Sequence, residues 1–511
     1  LPKASTEFDF IVIGGGTGGC VVARRLIDGS DARVLLLEAG PSDRGVAALT
    51  DAAAWVALQG GPYDWGYVYA PSPAVAGRAI PIPRGRVLGG SSSINAMLWY
   101  RGHPSDYDGW AAAGATGWDF ASVLPFFKRA EDWHGGETAF RGAGGPLRIE
   151  QAQDPHPLAL ALIAAAAEGG IPVIDDANGA TNEGAALADF NMRGSERWSA
   201  ARGYLWPVLD HPRLTVMTQA MAETLVFEGG CCVGVNVRAG GDRASLRATR
   251  DVVLCAGAID TPRLLMRSGI GGGDQLRRLG APVVADLKGV GQNLQDHPLL
   301  TGLNFHATAP LGPVRGTGGG SMVNWRSSQS AIPDLHAFLV QGLHALPHLA
   351  QRHAVEPPVF AISPGLMGSR SCGFLRMHGL APDATVEIQP NLLQEPADVA
   401  ALVEAIDVVM DLAETAALRP HVRGPAIPDR RLSRAEREEF VRQATSTFFH
   451  CCGTCAMGSG EMAVVDPQLR VRGVEGLRIA DASVMPTIPS CNTNAPVAMI
   501  GERAAAFILA A

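Results

Sequence analysis

The chain alternates between short unbroken apolar runs and longer stretches of mixed texture, and the runs predict buried strands. Asp9-Phe10-Ile11-Val12-Ile13 is apolar after its first residue, as expected of a parallel strand covered on both faces. Gly14-Gly15-Gly16-Thr17-Gly18-Gly19 follows. Cys20, Val21, Ala23, Leu26 and Ile27 then recur at helical spacing, with Gly29 as a stop. A second run, Arg33-Val34-Leu35-Leu36-Leu37, closes on Glu38, so a βαβ unit is predicted within about thirty residues. Around Leu214–Val237 two alternating stretches flank Glu228-Gly229-Gly230, which predicts a β-hairpin or meander. Asp251-Val252-Val253-Leu254-Cys255 reads as another buried strand, and Leu477-Arg478-Ile479-Ala480 as a short one ending on Asp481. A last helix starts near Pro496, where a first-turn proline is tolerated.

These islands predict a dinucleotide-type domain that is interrupted and resumed, over 6–150, 206–300 and 447–511. The segments 151–205 and 301–446, with Pro-rich and Gly-rich joints, are assigned to a substrate-covering domain. No tandem repeat is evident.

The length of 511 residues exceeds a single compact core and fits two interleaved domains. With 47% hydrophobic and 18% charged residues, the make-up is that of an ordinary globular enzyme. A net charge of −8 argues against a nucleic-acid or anionic-lipid partner. Nine cysteines without a disulfide-framework spacing read as reduced, mostly buried residues of a cytoplasmic protein. Phe10–Ile13 is too short for a signal-peptide core, and no apolar run approaches the roughly 18 residues of a membrane span.

The glycine loop carries the first chemistry. Gly14-x-Gly16-x-x-Gly19 sits between a strand and a helix, and Glu38 follows Gly16 by 22 residues. Gly14 makes the tight turn, and Gly16 lets the backbone approach a pyrophosphate. Gly19 lets helix and strand pack closely, and the helix N-terminus faces the phosphates. Glu38 suits a ribose diol. This fingerprint alone leaves NAD and FAD both open.

Further motifs narrow the choice. Arg84-Gly85-Arg86-Val87-Leu88-Gly89-Gly90-Ser91-Ser92-Ser93-Ile94-Asn95 is a glycine-serine stretch, and a second motif runs from Gly257 to Gly271. Near the C-terminus come His450-Cys451-Cys452-Gly453-Thr454-Cys455-Ala456-Met457-Gly458, Asp481-Ala482-Ser483-Val484-Met485-Pro486 and Asn492-Thr493-Asn494-Ala495-Pro496. In this order they resemble the glucose–methanol–choline (GMC) oxidoreductases from about residue 7 to the end, least so in 301–446. The resemblance implies an α/β fold: a Rossmann-like FAD-binding domain interleaved with an α+β substrate domain built on an antiparallel sheet.

It also implies roles for particular residues. Gly14, Gly16, Thr17 and Gly18 would hold the pyrophosphate, and Glu38 the adenosine ribose. Arg86, Gly90, Ser91, Asn95 and Met97 would lie along the ribityl chain and isoalloxazine, with Ala222 as a backbone contact to adenine. Asp481 and Ala482 would reach the phosphate or ribityl region, and Asn492 and Thr493 the pyrimidine edge. Asp260 and Arg263 are read as helix-surface charges. Some family members attach FAD covalently through a histidine of the glycine-serine motif. That slot is Ile94 here, which has no nucleophile, so non-covalent FAD is expected.

Oxidising an alcohol removes a hydroxyl proton and a carbon-bound hydride. Flavin N5 takes the hydride, and the protein must supply a base. His450 stands at the family's catalytic-histidine position, and Asn492 at its second, histidine-or-asparagine position. Asn494 is expected to cap the final helix. Cys451 stands where the family more often has proline. No metal is expected at His450-Cys451-Cys452-x-x-Cys455, which is crowded and lacks a second ligand pair.

The reaction expected is oxidation of a small primary alcohol, aromatic, heteroaromatic or choline-like, with oxygen or another electron acceptor closing the cycle. A redox-neutral FAD-containing lyase of the same family and an NAD-dependent dehydrogenase are the alternatives.

Overall fold

The computed structural model describes residues 6–511. Its first layer is a five-stranded parallel sheet. The strands are β1 (Phe10–Ile13), β2 (Val34–Leu37), β3 (Leu214–Met217), β4 (Val252–Leu254) and β5 (Leu477–Ile479), in spatial order β3-β2-β1-β4-β5. Residues of β1, β2 and β4 are buried throughout, which is why their sequences are unbroken apolar runs. Strand order reverses between β1 and β4. Their C-terminal ends therefore open a crevice of the kind in which ligands sit on doubly wound sheets. Gly14, Glu38, Cys255 and Asp481 lie just beyond the ends of β1, β2, β4 and β5, so four strands deliver their loops to one edge.

The expected hairpin is present but shorter. Ala220–Glu228 pairs antiparallel with Cys231–Ala239, and Asp242–Ala248 adds a third strand. Leu214–Met217, placed with the hairpin in the sequence reading, instead pairs in parallel with β2. A short alternating run carries no record of its partner, and the break at Thr218-Gln219, where Gln219 has φ 55°, separates the two.

Helix α1 (Thr17–Gly29) packs on β1 and against α3 (Asn494–Leu509), with α2 (Gly257–Arg267) following β4. The approach is close: a Cβ on Gly19 would lie 1.9 Å from the Gly14 carbonyl oxygen, and one on Gly18 2.1 Å from that of Ala480.

The second layer is an antiparallel sheet. Its main strands are Val422–Ile427, Asn304–Ala307, Val359–Leu366, Leu335–Val340, Ser321–Trp325 and Gly184–Leu187, in that spatial order. Pro298–Leu300 and Thr445–Thr447 join it at one side, with Pro298 opposite Thr447. Helices Pro157–Glu168 and Pro396–Leu412 pack on this sheet and share its apolar core. No helix among the described residues is long and apolar enough to cross a membrane. All nine cysteines are unpaired, seven of them buried.

Two glycines of the loop are expected to respond differently to alanine. In Gly19→Ala the overpacking, about 1–3 kcal/mol, outweighs the about 0.5–1 kcal/mol that alanine contributes inside a helix, so the thermal midpoint falls. In Gly16→Ala the new Cβ meets nothing nearer than 3.9 Å, and stability stays within about 0.5 kcal/mol of the parent. Thermal unfolding of the two variants checks both.

Candidate active site

A cavity of about 580 Å³ runs from the crevice at the parallel strand ends to the antiparallel sheet. At its first end lie Gly14, Gly16, Thr17 and Gly18. The first turn of α1 has no side-chain cap, so its amides are left to the cavity as donors for an anion. Gly16 and Gly257 both face open space where any side chain would intrude. The walls thus fit a pyrophosphate-containing group.

Glu38 lies beside this loop and is buried. Its carboxylate accepts from Gly15 N–H at 2.9 Å and Gly40 N–H at 2.7 Å, leaving lone pairs for a diol. Burial pushes its pKa up to about 7, against the pull of those two amides and of Arg86. Asp481 accepts from Gly257 N–H at 2.8 Å and Thr261 Oγ1 at 2.6 Å, and caps the turn that follows it through Ser483 N–H at 2.8 Å. It thereby ties the loop after β5 to the start of α2. Ala222, Gly90, Ser91, Asn95, Met97, Ala482 and Thr493 also line the cavity. The Ala222 carbonyl accepts from Arg267, and Asn95 Oδ1 accepts from Arg197 at 2.8 Å. Met97 adopts φ 63°, unusual for a residue with a side chain.

Two of the residues assigned to the cofactor stand back from the lining. Gly19 is spent on helix–strand packing, in keeping with its assigned role. Arg86 lies with its guanidinium 4.9 Å from the Trp65 ring, and Trp65, not Arg86, lines the wall. Arg86 reaches the site through its charge, which favours ionised Glu38.

At the far end stand His450 and Asn492. The ladder between Pro298–Leu300 and Thr445–Thr447 brings two histidines together: His450 Nδ1 is 2.9 Å from His297 Nδ1. Asn492 Nδ2 is 3.1 Å from His450 Nε2. An amide NH₂ can only donate, so with the Asn492 side chain in this orientation Nε2 is an unprotonated acceptor. The His450 proton then sits on Nδ1 and is donated to His297 Nδ1. His297 Nε2 is buried without a hydrogen-bond partner. Burial holds the His450 pKa well below the usual histidine range, reinforced by His297, the Arg84 guanidinium and His336. Burial likewise lowers His297, to about 3. His450 is therefore neutral near pH 7, and its Nε2 lone pair lies beside the cavity, engaged by the Asn492 amide.

One carboxylate holds this pair. Asp296, 1% exposed, accepts from the backbone N–H of both His297 and His450 at 2.8 Å. Its other oxygen accepts from Tyr69 OH at 2.5 Å and from Thr447 Oγ1. Cys451 Sγ lies 2.9 Å from Tyr69 OH, and Cys452 exchanges backbone bonds with Gln295, so this ladder stiffens the segment that lacks proline.

Two family models, both described as GMC oxidoreductase, match residues 8–299 and 369–501. The chain belongs to the GMC oxidoreductase family. An oxygen-dependent choline dehydrogenase of Brucella anthropi is 37% identical over 98% of this chain and 96% of its own. The mitochondrial choline dehydrogenase of Homo sapiens is 37% identical over 99% of this chain and 90% of its own. Among solved structures, pyridoxine 4-oxidase from Mesorbium loti superposes with a TM-score of 0.93 at 33% identity, covering 98% of both chains. This GMC oxidoreductase is an FAD-dependent flavoprotein acting on alcohol donors, which sets aside the NAD-dependent alternative.

The structure corrects two further readings. Asp260 and Arg263 are not surface charges. Arg263 is 7% exposed and donates to Asp260 at 2.7 Å and to Tyr67 OH at 2.8 Å, and all three line the cavity. A helical pattern shows which positions share a face, not that the polar face of α2 closes a cofactor cleft. Asn494 does not cap α3, since Thr493 holds that position without a side-chain bond. Asn494 Oδ1 instead accepts from Thr17 Oγ1 at 2.8 Å, joining the first turns of α1 and α3. Asp296 and His297 were missed. The available signal was a Gln295-Asp296-His297 polar island beside apolar Pro298-Leu299-Leu300.

Asp296→Ala is expected to cost more than about 3 kcal/mol, because two amides and two hydroxyls lose a buried acceptor at about 1–3 kcal/mol each. Denaturant unfolding of the variant checks it, and a loss below about 1 kcal/mol would mean that another acceptor replaces the carboxylate.

Proposed function

We propose that this flavoenzyme oxidises a primary alcohol to the aldehyde, with His450 as the base and Asn492 as the residue that orients the hydroxyl. The observation that carries the reading is the His450 Nε2 lone pair, held neutral by burial and facing the cavity beside the Asn492 amide. An alcohol oxygen entering between them would accept from Asn492 and give its proton to Nε2. The acquired charge would be shared across the Nδ1–Nδ1 contact with His297. Bound FAD supplies the hydride acceptor. The α1 amides would hold its pyrophosphate and Glu38 its ribose, with Gly90, Ser91, Asn95, Met97, Ala482 and Thr493 along the remainder. The end of α3 that carries Thr493 would favour negative charge on the reduced cofactor.

We further propose that FAD is non-covalent. Ile94 is 3% exposed and lines the cavity, offering a hydrocarbon where attachment would need a nucleophile. Acid precipitation is expected to leave the yellow colour in the supernatant; colour retained on the pellet would overturn this.

His450→Ala is expected to keep FAD and to slow anaerobic flavin bleaching by an alcohol about 10²–10⁴-fold. Because His450 works unprotonated and its pKa is depressed, the parent rate should stay level as pH falls through 6.5 and decline only well below it. An acid limb centred near 6.5, or normal bleaching in the variant, would defeat the assignment. Turnover without bleaching would favour the redox-neutral lyase.

A further inference from the structure

The wall facing His450 is apolar and aromatic. Phe448 stacks on the His450 ring at 5.4 Å and 9°, Phe338 meets Phe448 at 5.9 Å, and His344 meets Phe338 at 6.0 Å. All four line the cavity, together with Leu299 and Leu346. The carboxylates of the lining, Glu38, Asp260 and Asp481, belong to the loop after β2, the start of α2 and the loop after β5, at the opposite end. Asp296, the carboxylate nearest His450, is consumed by its four donors and does not reach the lining. The fixed charge close to His450 is the Arg84 guanidinium, which also lines the cavity. A cationic substrate would meet repulsion here and no counter-ion.

His344 is built into this wall with unusual care. Its backbone N–H donates to Asn304 Oδ1 at 2.9 Å, and its carbonyl accepts from Asn304 Nδ2 at 3.0 Å. Asn304 itself is fully buried. The ring is fixed by Nδ1 against Ser363 Oγ at 2.6 Å, which leaves Nε2 as the atom available to the cavity. A pinned imidazole, presented among phenyl rings and kept neutral by burial, is suited to read one polar atom on an otherwise apolar molecule.

We propose that the preferred substrate is an uncharged alcohol whose CH₂OH group sits on a flat ring bearing a second hydrogen-bonding group, and that His344 is the specificity-determining residue that reads that group. The proposal rests on the alcohol-oxidation reading above and adds to it the class of alcohol. The reaction stays balanced as that reading has it, since His344 takes no part in the proton or hydride transfer.

The test uses the FAD-loaded enzyme and anaerobic flavin bleaching with three probes: 1,4-benzenedimethanol, 4-methylbenzyl alcohol and choline. The parent enzyme is expected to favour the diol over the methyl analogue by about 10-fold in kcat/KM, the worth of one good hydrogen bond, mostly through KM. Choline should lie at least about 100-fold below the diol, a factor set by an uncompensated cation. In His344→Leu the diol-to-methyl ratio is expected to fall toward one, and in His344→Gln, which keeps a polar end, to recover in part. A ratio unchanged in His344→Leu, or choline as the best probe, would overturn the proposal while leaving alcohol oxidation standing. Failure of all three to bleach the flavin would sink the alcohol reading and this proposal with it.

Discussion

The contact on which the architecture depends is the approach of α1 to the strand ends on either side of it. A Cβ at Gly18 or Gly19 would fall inside the Ala480 or Gly14 carbonyl oxygen, so only glycine lets the helix start there. That closeness welds residues 6–40 to the last thirty. Thr17 bonds Asn494, and the fully buried Glu502 of α3 takes Arg25 at 2.7 Å, Arg129 at 2.6 Å and Tyr204 OH at 2.7 Å. A buried carboxylate with three partners is costly to disturb, because loss of any one leaves charge or donors uncompensated. Its consequence for the site is positional. Asn492, two residues before α3, stands at a fixed distance from the glycine loop although they are far apart in sequence.

The other end of the cavity is set by a different device. There the antiparallel ladder of 298–300 with 445–447 carries His297 and His450 just outside its paired residues, and Asp296 clamps both backbones. The same burial that keeps His450 neutral makes a proton on it expensive, so a partner behind the ring matters. The Nδ1–Nδ1 contact supplies one without bringing a formal charge into the cavity. A carboxylate in the place of His297 would raise the pKa of His450 and bring protonation of its ring nearer to neutral pH.

Local patterns in the sequence were enough to find β1, α1, β2 and Glu38, since each follows from neighbours within a few turns. The His450 and Asn492 positions came from motif resemblance, and the structure brings their side chains within 3.1 Å. What stayed hidden is what depends on long-range pairing. Leu214–Met217 looks like part of a hairpin until its parallel partner β2 is known. His297 is separated from His450 by 153 residues, and no periodicity connects them. Arg263 and Asp260 looked solvated because a helix pattern fixes spacing but not which surface a cofactor cleft will take. Arg86 lies inside a motif, and the sequence did not show that its guanidinium rests 4.9 Å from the Trp65 ring.

The family matches and the aromatic wall near His450 overlap only in part, since Leu299 and Phe448 fall inside the matches. The two family models cover 8–299 and 369–501, and these contain the glycine loop, Glu38, Asp481, His450 and Asn492. Phe338, His344, Leu346, Asn304 and Ser363 all fall in the interval between the two matches. The machinery common to the family is therefore concentrated where the sheet edges and helix ends must meet a large cofactor, which constrains backbone and side chain alike. Of the residues near His450, Phe338 is carried on an antiparallel strand, whose side chains can change while the ladder stays paired, and His344 and Leu346 on the segment that follows it. The local charge balance beside His450 is one arginine, neutral imidazoles and no carboxylate facing the space.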